Sequence, residues 1–185
     1  ICYVMGKARH CLAMATAETA PALICLDARI KTLGPNGERS LTAERFFVSA
    51  GVTEIGEDEI LTEIEIPDPP TYIKGVYLKY SRRDSIDFAI VGVATMLGLQ
   101  PKTCTCDHIR ISLLGVARIP IRVYKAEEIL KGKLVNAERI TQAAQAAAEE
   151  CHPLGDIYAS ARLKRTVVRE LVKRAIIEAL DAASR

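Results

Sequence analysis

Tryptophan is absent from this chain of 185 residues, and aromatic side chains make up only 5% of it. So few stacking surfaces make a poor platform for single-stranded nucleic acid. Net charge is also small, at +2, which argues against both a nucleic-acid-binding surface and a charge-extended disordered chain. No apolar run approaches the roughly 18 residues of a membrane span. The opening ICYVMGKARHC has neither an initiator Met nor a basic region ahead of an apolar one, so no signal peptide is read there. A cytoplasmic location is expected, and a chain that starts on Ile1 reads as a piece of a longer one. Histidine is scarce: His10 lies beside Cys11, His108 opens a strand and His152 ends a helix, and none sits in a nucleophile–base or paired-carboxylate context. A clustered glycine loop, whose backbone N–H groups would cradle phosphate, is missing too, because Gly34, Gly37, Gly51 and Gly56 fall in turns.

What is present supports a core. Hydrophobic residues make up 49% of the chain, enough for one domain or two small ones. The six cysteines are Cys2, Cys11, Cys25, Cys104, Cys106 and Cys151. Nothing marks the chain as secreted, so a disulfide framework is not expected. Cys25 lies in an apolar run and reads as core, Cys151 ends a helix, and Cys104 and Cys106 form a lone C-x-C in a turn.

Periodicity predicts a short helix over 17–26 with Pro21 in its first turn, a strand over 28–33, and the turn Gly34-Pro35-Asn36-Gly37 leading into a returning strand over 39–41. Thr42 is placed to cap a turn over 43–47. Apolar and polar residues alternate over 59–67, the pattern of a half-buried strand. Pro67, Pro69 and Pro70 then break regular structure, which places a domain boundary at 68–71. Strands are predicted beyond it over 76–80, 88–99 and 108–116, followed by a short helix over 127–132. Asn136 should cap a helix with the small-residue stripe Ile140, Ala143, Ala144 and Ala147. A final helix over 160–183 pairs an apolar face with a basic one that includes Arg162, Lys164, Arg165, Arg169, Lys173 and Arg174. The fold class is α+β: residues 71–185 form a small domain with a three-stranded antiparallel sheet packed on helices.

The segment YLKYSRRDSIDFAIVGVA is the densest in chemistry. It sets Lys79, Arg82, Arg83, Asp84 and Asp87 in a loop clamped between two apolar runs. Rigid flanks make such a loop a candidate polar-ligand site, although a solvated hairpin has the same pattern.

Several strings, in order along nearly the whole chain, carry a family resemblance: AETAPALICLDARIKTLGPNGER, EILTEIEIP, the charged segment above, IRISLLGVARIPIR with KAEEILKGK, and DIYASARLKRTVVRELVKRAI. With them the chain resembles the FAD-binding medium subunit of molybdenum hydroxylases, the group of xanthine dehydrogenase and carbon monoxide dehydrogenase. The resemblance implies that 1–70 is the C-terminal part of a FAD-binding α+β domain and that 71–185 is the C-terminal domain of the flavoprotein subunit. It is nearest to the beta subunit of 4-hydroxybenzoyl-CoA reductase, which carries an additional iron–sulfur insertion. The opening is similar to the end of that insertion, with Cys2 and Cys11 on two cluster-cysteine positions. That implies a 4Fe-4S cluster completed by further thiolates upstream.

The resemblance also implies flavin contacts. Glu18 falls where the family usually has Asp, Leu61 where an apolar residue packs near the isoalloxazine ring, and Lys79 and Asp87 on a charged pair bordering the flavin. Arg82 and Arg83 fall on basic loop residues whose charge favours the reduced, anionic ring. The implied function is electron transfer between FAD and iron–sulfur clusters in a multi-subunit oxidoreductase, with aromatic acyl-CoA reduction following by analogy. A large partner would carry the molybdenum cofactor and a small partner the 2Fe-2S clusters. Lacking a phosphate cradle, these 185 residues alone are expected to bind FAD poorly and to be inactive. The alternative is a non-catalytic assembly module with a degraded flavin site, favoured by Glu18 and the missing cradle. A nucleic-acid module has only the basic final helix behind it.

Overall fold

The computed structural model describes residues 17–85 and 87–183. The chain opens with helix α1 (Ala20–Cys25), then the hairpin β1 (Arg29–Gly34) and β2 (Gly37–Thr42), helix α2 (Ala43–Phe46), the small ribbon β3 (Phe47–Ser49) and β4 (Val52–Thr53), and β5 (Ile60–Glu65). Past the prolines come β6 (Ile73–Tyr80), β7 (Val91–Leu99), β8 (Cys106–Leu114) and β9 (Ile121–Arg122), and then helices α3 (Tyr124–Leu130), α4 (Ala137–Glu150) and α5 (Ala161–Ala183). All strand pairs are antiparallel, in sheets ordered β2-β1-β5, β3-β4 and β6-β7-β8-β9.

Local chemistry explains most of these boundaries. Gly37 adopts φ +101°, which lets the Pro-Asn turn close β1 onto β2 with Gly34 opposite Gly37. Thr42 Oγ1 accepts from the Arg45 amide and Asn136 Oδ1 from the Arg139 amide at 2.9 Å, so both expected caps are made. Gly115, at φ +78°, turns the chain out of β8 so closely that a Cβ there would collide with the Ile90 carbonyl.

The central strand β7 is buried from Val91 to Gly98 because both of its faces are covered. Val91, Val93 and Leu97 join the large core formed with β8, α3, α4 and α5. Val168, Val172 and Ile176 of α5 are wholly buried in that core, each stabilising by about 1.5–3 kcal/mol relative to exposure. Ala94 and Met96 face the other way and pack with Cys25 of α1 and with Ile73. Helix α1 therefore precedes the proline break in sequence yet lies on the sheet that follows it. Cys25 Sγ donates to the Ala94 carbonyl at 3.5 Å, and Arg110 Nη1 donates to the Cys25 carbonyl at 3.3 Å and pairs with Asp27.

The structure differs from the sequence expectations at several points. The β5 segment is exposed along both faces rather than half-buried, with Ile60 64% exposed, because it is an edge strand and no layer of the described residues covers it. The sheet beyond the prolines has a fourth strand, β9, too short to show a period. Helix α3 starts at Tyr124, earlier than expected, and β7 starts at Val91, leaving Phe88 exposed. Cys106 is a buried β8 residue, so only Cys104 of the C-x-C lies in the turn. Lys164, expected on the basic solvent face, is 6% exposed and bonded to Asp156. Cys2, Cys11 and His10 lie outside the described residues.

Candidate functional site

The loop between β6 and β7 is built around one carboxylate. Asp87 Oδ2 accepts from the amides of Arg82 and Arg83 at 3.1 and 3.0 Å, and Oδ1 accepts from the Phe88 amide at 3.0 Å. The Arg83 guanidinium stands 3.8 Å away and is well exposed. Asp87 thus spends its hydrogen-bonding capacity on backbone N–H groups, the behaviour of a loop-organising residue. Ser81 adds a hydroxyl donated to the Arg83 carbonyl at 2.8 Å. With the backbone so held, Arg82 and Arg83 are presented together.

Lys79 and Asp87 do not meet through their charged groups. Lys79 Nζ takes only the backbone carbonyl of Asp87, at 3.1 Å, because Asp87 turns its carboxylate into its own loop. The carboxylate facing Lys79 is that of Glu18, at 3.0 and 3.3 Å. Glu18 Oε1 also accepts from the Ala89 amide at 2.9 Å, so one side chain clasps the start of β6–β7 loop chemistry and its end. Beneath this cluster Tyr77 buries its hydroxyl, and burial, then the charge of Glu18, pushes the phenol up to about 12.

A concavity of about 370 Å³ opens beside the loop, lined by Arg82, Arg83, Asp87 and Tyr158. Tyr158 comes from the α4–α5 connection, and the Arg82 Cζ lies 5.4 Å from its ring centroid. The composition of the motif did not single Tyr158 out; its signal was its place in the string DIYASAR, two residues after Asp156. The structure therefore gathers Glu18, Lys79, Arg82, Arg83 and Asp87 around one loop and adds Tyr158. Leu61 is placed elsewhere, on β5 opposite Thr32, and is half-exposed.

The fit of this concavity to a flavin is chemical. Two guanidiniums beside an aromatic wall, with the one lining carboxylate consumed by backbone donors, suit a planar ring that gains negative charge. No group of three or more metal-ligating side chains occurs among the described residues. Among the described residues, no helix is long and apolar enough to cross a membrane.

Comparison with known proteins agrees with this chemistry. Residues 76–179 match the CO dehydrogenase flavoprotein C-terminal domain, and residues 10–69 match the FAD binding domain in molybdopterin dehydrogenase. The chain is 32% identical to the 6-hydroxypseudooxynicotine dehydrogenase complex subunit alpha of Paenarthrobacter nicotinovorans, over 96% of this chain and 59% of that protein. It is 33% identical to the carbon monoxide dehydrogenase medium chain of Hydrogenophaga pseudoflava, over 84% of this chain and 54% of the other. Its fold superposes on quinoline 2-oxidoreductase from Pseudomonas putida 86 with a TM-score of 0.84 at 28% identity, covering 94% of this chain and 60% of that one. The chain thus spans somewhat more than half the length of these relatives. It belongs to the family of FAD-binding medium subunits of the xanthine dehydrogenase and carbon monoxide dehydrogenase group.

Proposed function

We propose that this chain contributes the ring-facing part of a flavin site in an electron-transfer subunit of a molybdenum hydroxylase-type complex. The observation that carries the reading is the cationic concavity of Arg82 and Arg83, whose neighbouring carboxylate is turned into the loop and bonded by three amides. FAD, when bound, supplies reversible two-electron storage. The residues of this chain supply electrostatics: Arg82 and Arg83 favour the form that carries the additional negative charge. Lys79 has a different part. Held by both carboxylate oxygens of Glu18 and by the Asp87 carbonyl, it spends its three donors on fixing the loop and acts on the ring only through its charge. Leu61 would offer apolar contact from the exposed face of β5.

Partners follow from the same reading: a large subunit carrying the molybdenum cofactor and a small one carrying 2Fe-2S clusters, with the complex in the cytoplasm. Aromatic acyl-CoA reduction, the likeness to 4-hydroxybenzoyl-CoA reductase and a 4Fe-4S cluster at Cys2 and Cys11 rest on the opening segment and on analogy. The rival reading, an assembly module, draws support from the internal use of Lys79 by Glu18. The experiment compares FAD uptake by the full-length protein with that of its Arg82→Ala/Arg83→Ala variant. A lower reduction potential and weaker retention of reduced FAD support the flavin site, whereas unchanged flavin properties in a folded variant favour the assembly module.

A further inference from the structure

Arg82 is held at two points that come from different parts of the fold. Its amide is bonded to Asp87 within the loop. Its guanidinium lies over Tyr158, within the roughly 6 Å at which a cation is drawn to an aromatic face. Among the described residues no carboxylate forms an ion pair with that guanidinium, so its charge remains available to whatever enters the concavity.

Tyr158 is itself built in. The amides of Tyr158 and Ala159 both donate to Asp156 Oδ1, at 2.8 and 2.9 Å, and the Asp156 amide donates to the Ala159 carbonyl at 3.0 Å. The other carboxylate oxygen of Asp156 accepts from Lys164 Nζ at 2.7 Å in a pair whose side chains are 10% and 7% exposed. Lys164 lies on the buried face of α5 beside Val168, and Ser160 Oγ caps the same helix at Leu163. A solvated tyrosine on an ordinary connection needs no such support. The chain of contacts runs from the helical core through Lys164 and Asp156 to Tyr158, and from its ring to Arg82.

We propose that Tyr158 is a further positioning residue of this site, its ring holding the Arg82 guanidinium at the concavity where the charge of the flavin ring changes. The proposal rests on the flavin reading above. It assigns Tyr158 no direct contact with the reacting atoms. Its effect passes through Arg82.

The test is the ratio of affinities of the full-length flavoprotein for reduced and oxidised FAD, read from reductive titration against a reference dye. Tyr158→Leu should cut the preference for reduced FAD by about 2–5-fold, the size of an exposed to half-buried cation–π contact. Tyr158→Phe should leave it unchanged, since the ring is kept. In the Arg82→Ala background Tyr158→Leu should cost nothing further. If the leucine variant does not fold, progressively fluorinated phenylalanines at 158 preserve the shape and should lower the preference step by step. A full effect of Arg82→Ala with none from position 158 overturns the role of Tyr158 and leaves the flavin reading standing. An equal loss from Tyr158→Leu with and without Arg82 also overturns it, because the ring then acts on its own. No change from Arg82→Ala removes the flavin reading at this concavity, and the proposal with it.

Discussion

Lys79 on β6 donates to the carboxylate of Glu18, 61 residues earlier in the chain, at 3.0 Å. The bond ties the lead-in to α1 to the strand that begins the charged loop, and the Ala89 amide bonded to the same carboxylate closes the loop's far end. Glu18 is thereby a structural clasp for the candidate site as well as a charge in it.

Replacing Glu18 tests that clasp. Glu18→Ala removes two acceptors, and with both partners partly solvated the loss should be about 1–2 kcal/mol of unfolding free energy. Glu18→Gln keeps an oxygen for the Ala89 amide and should lose less. Urea denaturation of the three proteins gives the order directly.

Arg122 and Glu127 form a largely buried ion pair. Two hydrogen bonds of 2.8 Å join them, and Glu127, 5% exposed, also accepts from the Ile111 amide at 2.9 Å. Arg122→Met strands a buried carboxylate and should cost about 3–5 kcal/mol. Removing both charges, as in Arg122→Met/Glu127→Leu, should recover part of that loss, although the Ile111 amide then goes unpaired. A double-mutant cycle in urea measures the recovery.

His108 makes stability depend on pH. Burial, then the charge of Arg110, lowers its pKa below the ordinary 6.5, with Asp27 and Glu127 opposing and Arg122 assisting. Its Nε2 is buried without a partner among the described residues. The unfolded imidazole therefore takes a proton first as pH falls, so stability is full above about 6.5 and declines below it until the folded imidazole also protonates. Urea midpoints between pH 5 and 8 should show this decline in the parent, and His108→Gln should flatten it.

Two glycines with the same backbone sign should respond differently to alanine. At Gly115 a methyl group meets the Ile90 carbonyl and φ is +78°, so Gly115→Ala should cost about 2–4 kcal/mol. Gly132 has φ +72° with open space around it, so Gly132→Ala should cost only about 1–2 kcal/mol. Thermal unfolding of both variants separates strain from collision.

Thiol reactivity should single out one cysteine of the described four. Burial pushes Cys25, Cys106 and Cys151 up to about 12, whereas Cys104 is exposed. Brief alkylation of the folded protein at neutral pH, followed by peptide mapping, should label Cys104 and spare the other three until denaturant is added.

Reading the residues alone located the caps at Thr42 and Asn136, the turn at Gly37, the α5 stripe and the loop that holds Arg82 and Arg83, because each of these is dictated by a few neighbouring side chains. Burial was legible only where a covering layer exists. The alternation of β5 matches a half-buried strand, yet β5 is exposed, since a period says which face is apolar and not whether anything lies on it. Lys164 failed in the opposite direction. Its charge grouped it with the basic residues, but its i, i+4 spacing to Val168 puts it on the apolar face, where Asp156 stands within reach to pair with it.

The site divides along the same line. Its cations and the loop that carries them follow from local chain chemistry, as the three amides bonded to Asp87 show. Which carboxylate Lys79 meets, and which ring Arg82 lies over, were decided by packing of the helices on the β6–β9 sheet. That packing brings position 18 to position 79 and the α4–α5 connection to position 82. Short-range bonds are set by the order of the residues, whereas contacts across long sequence separations exist only once burial of the apolar faces has fixed where each element lies.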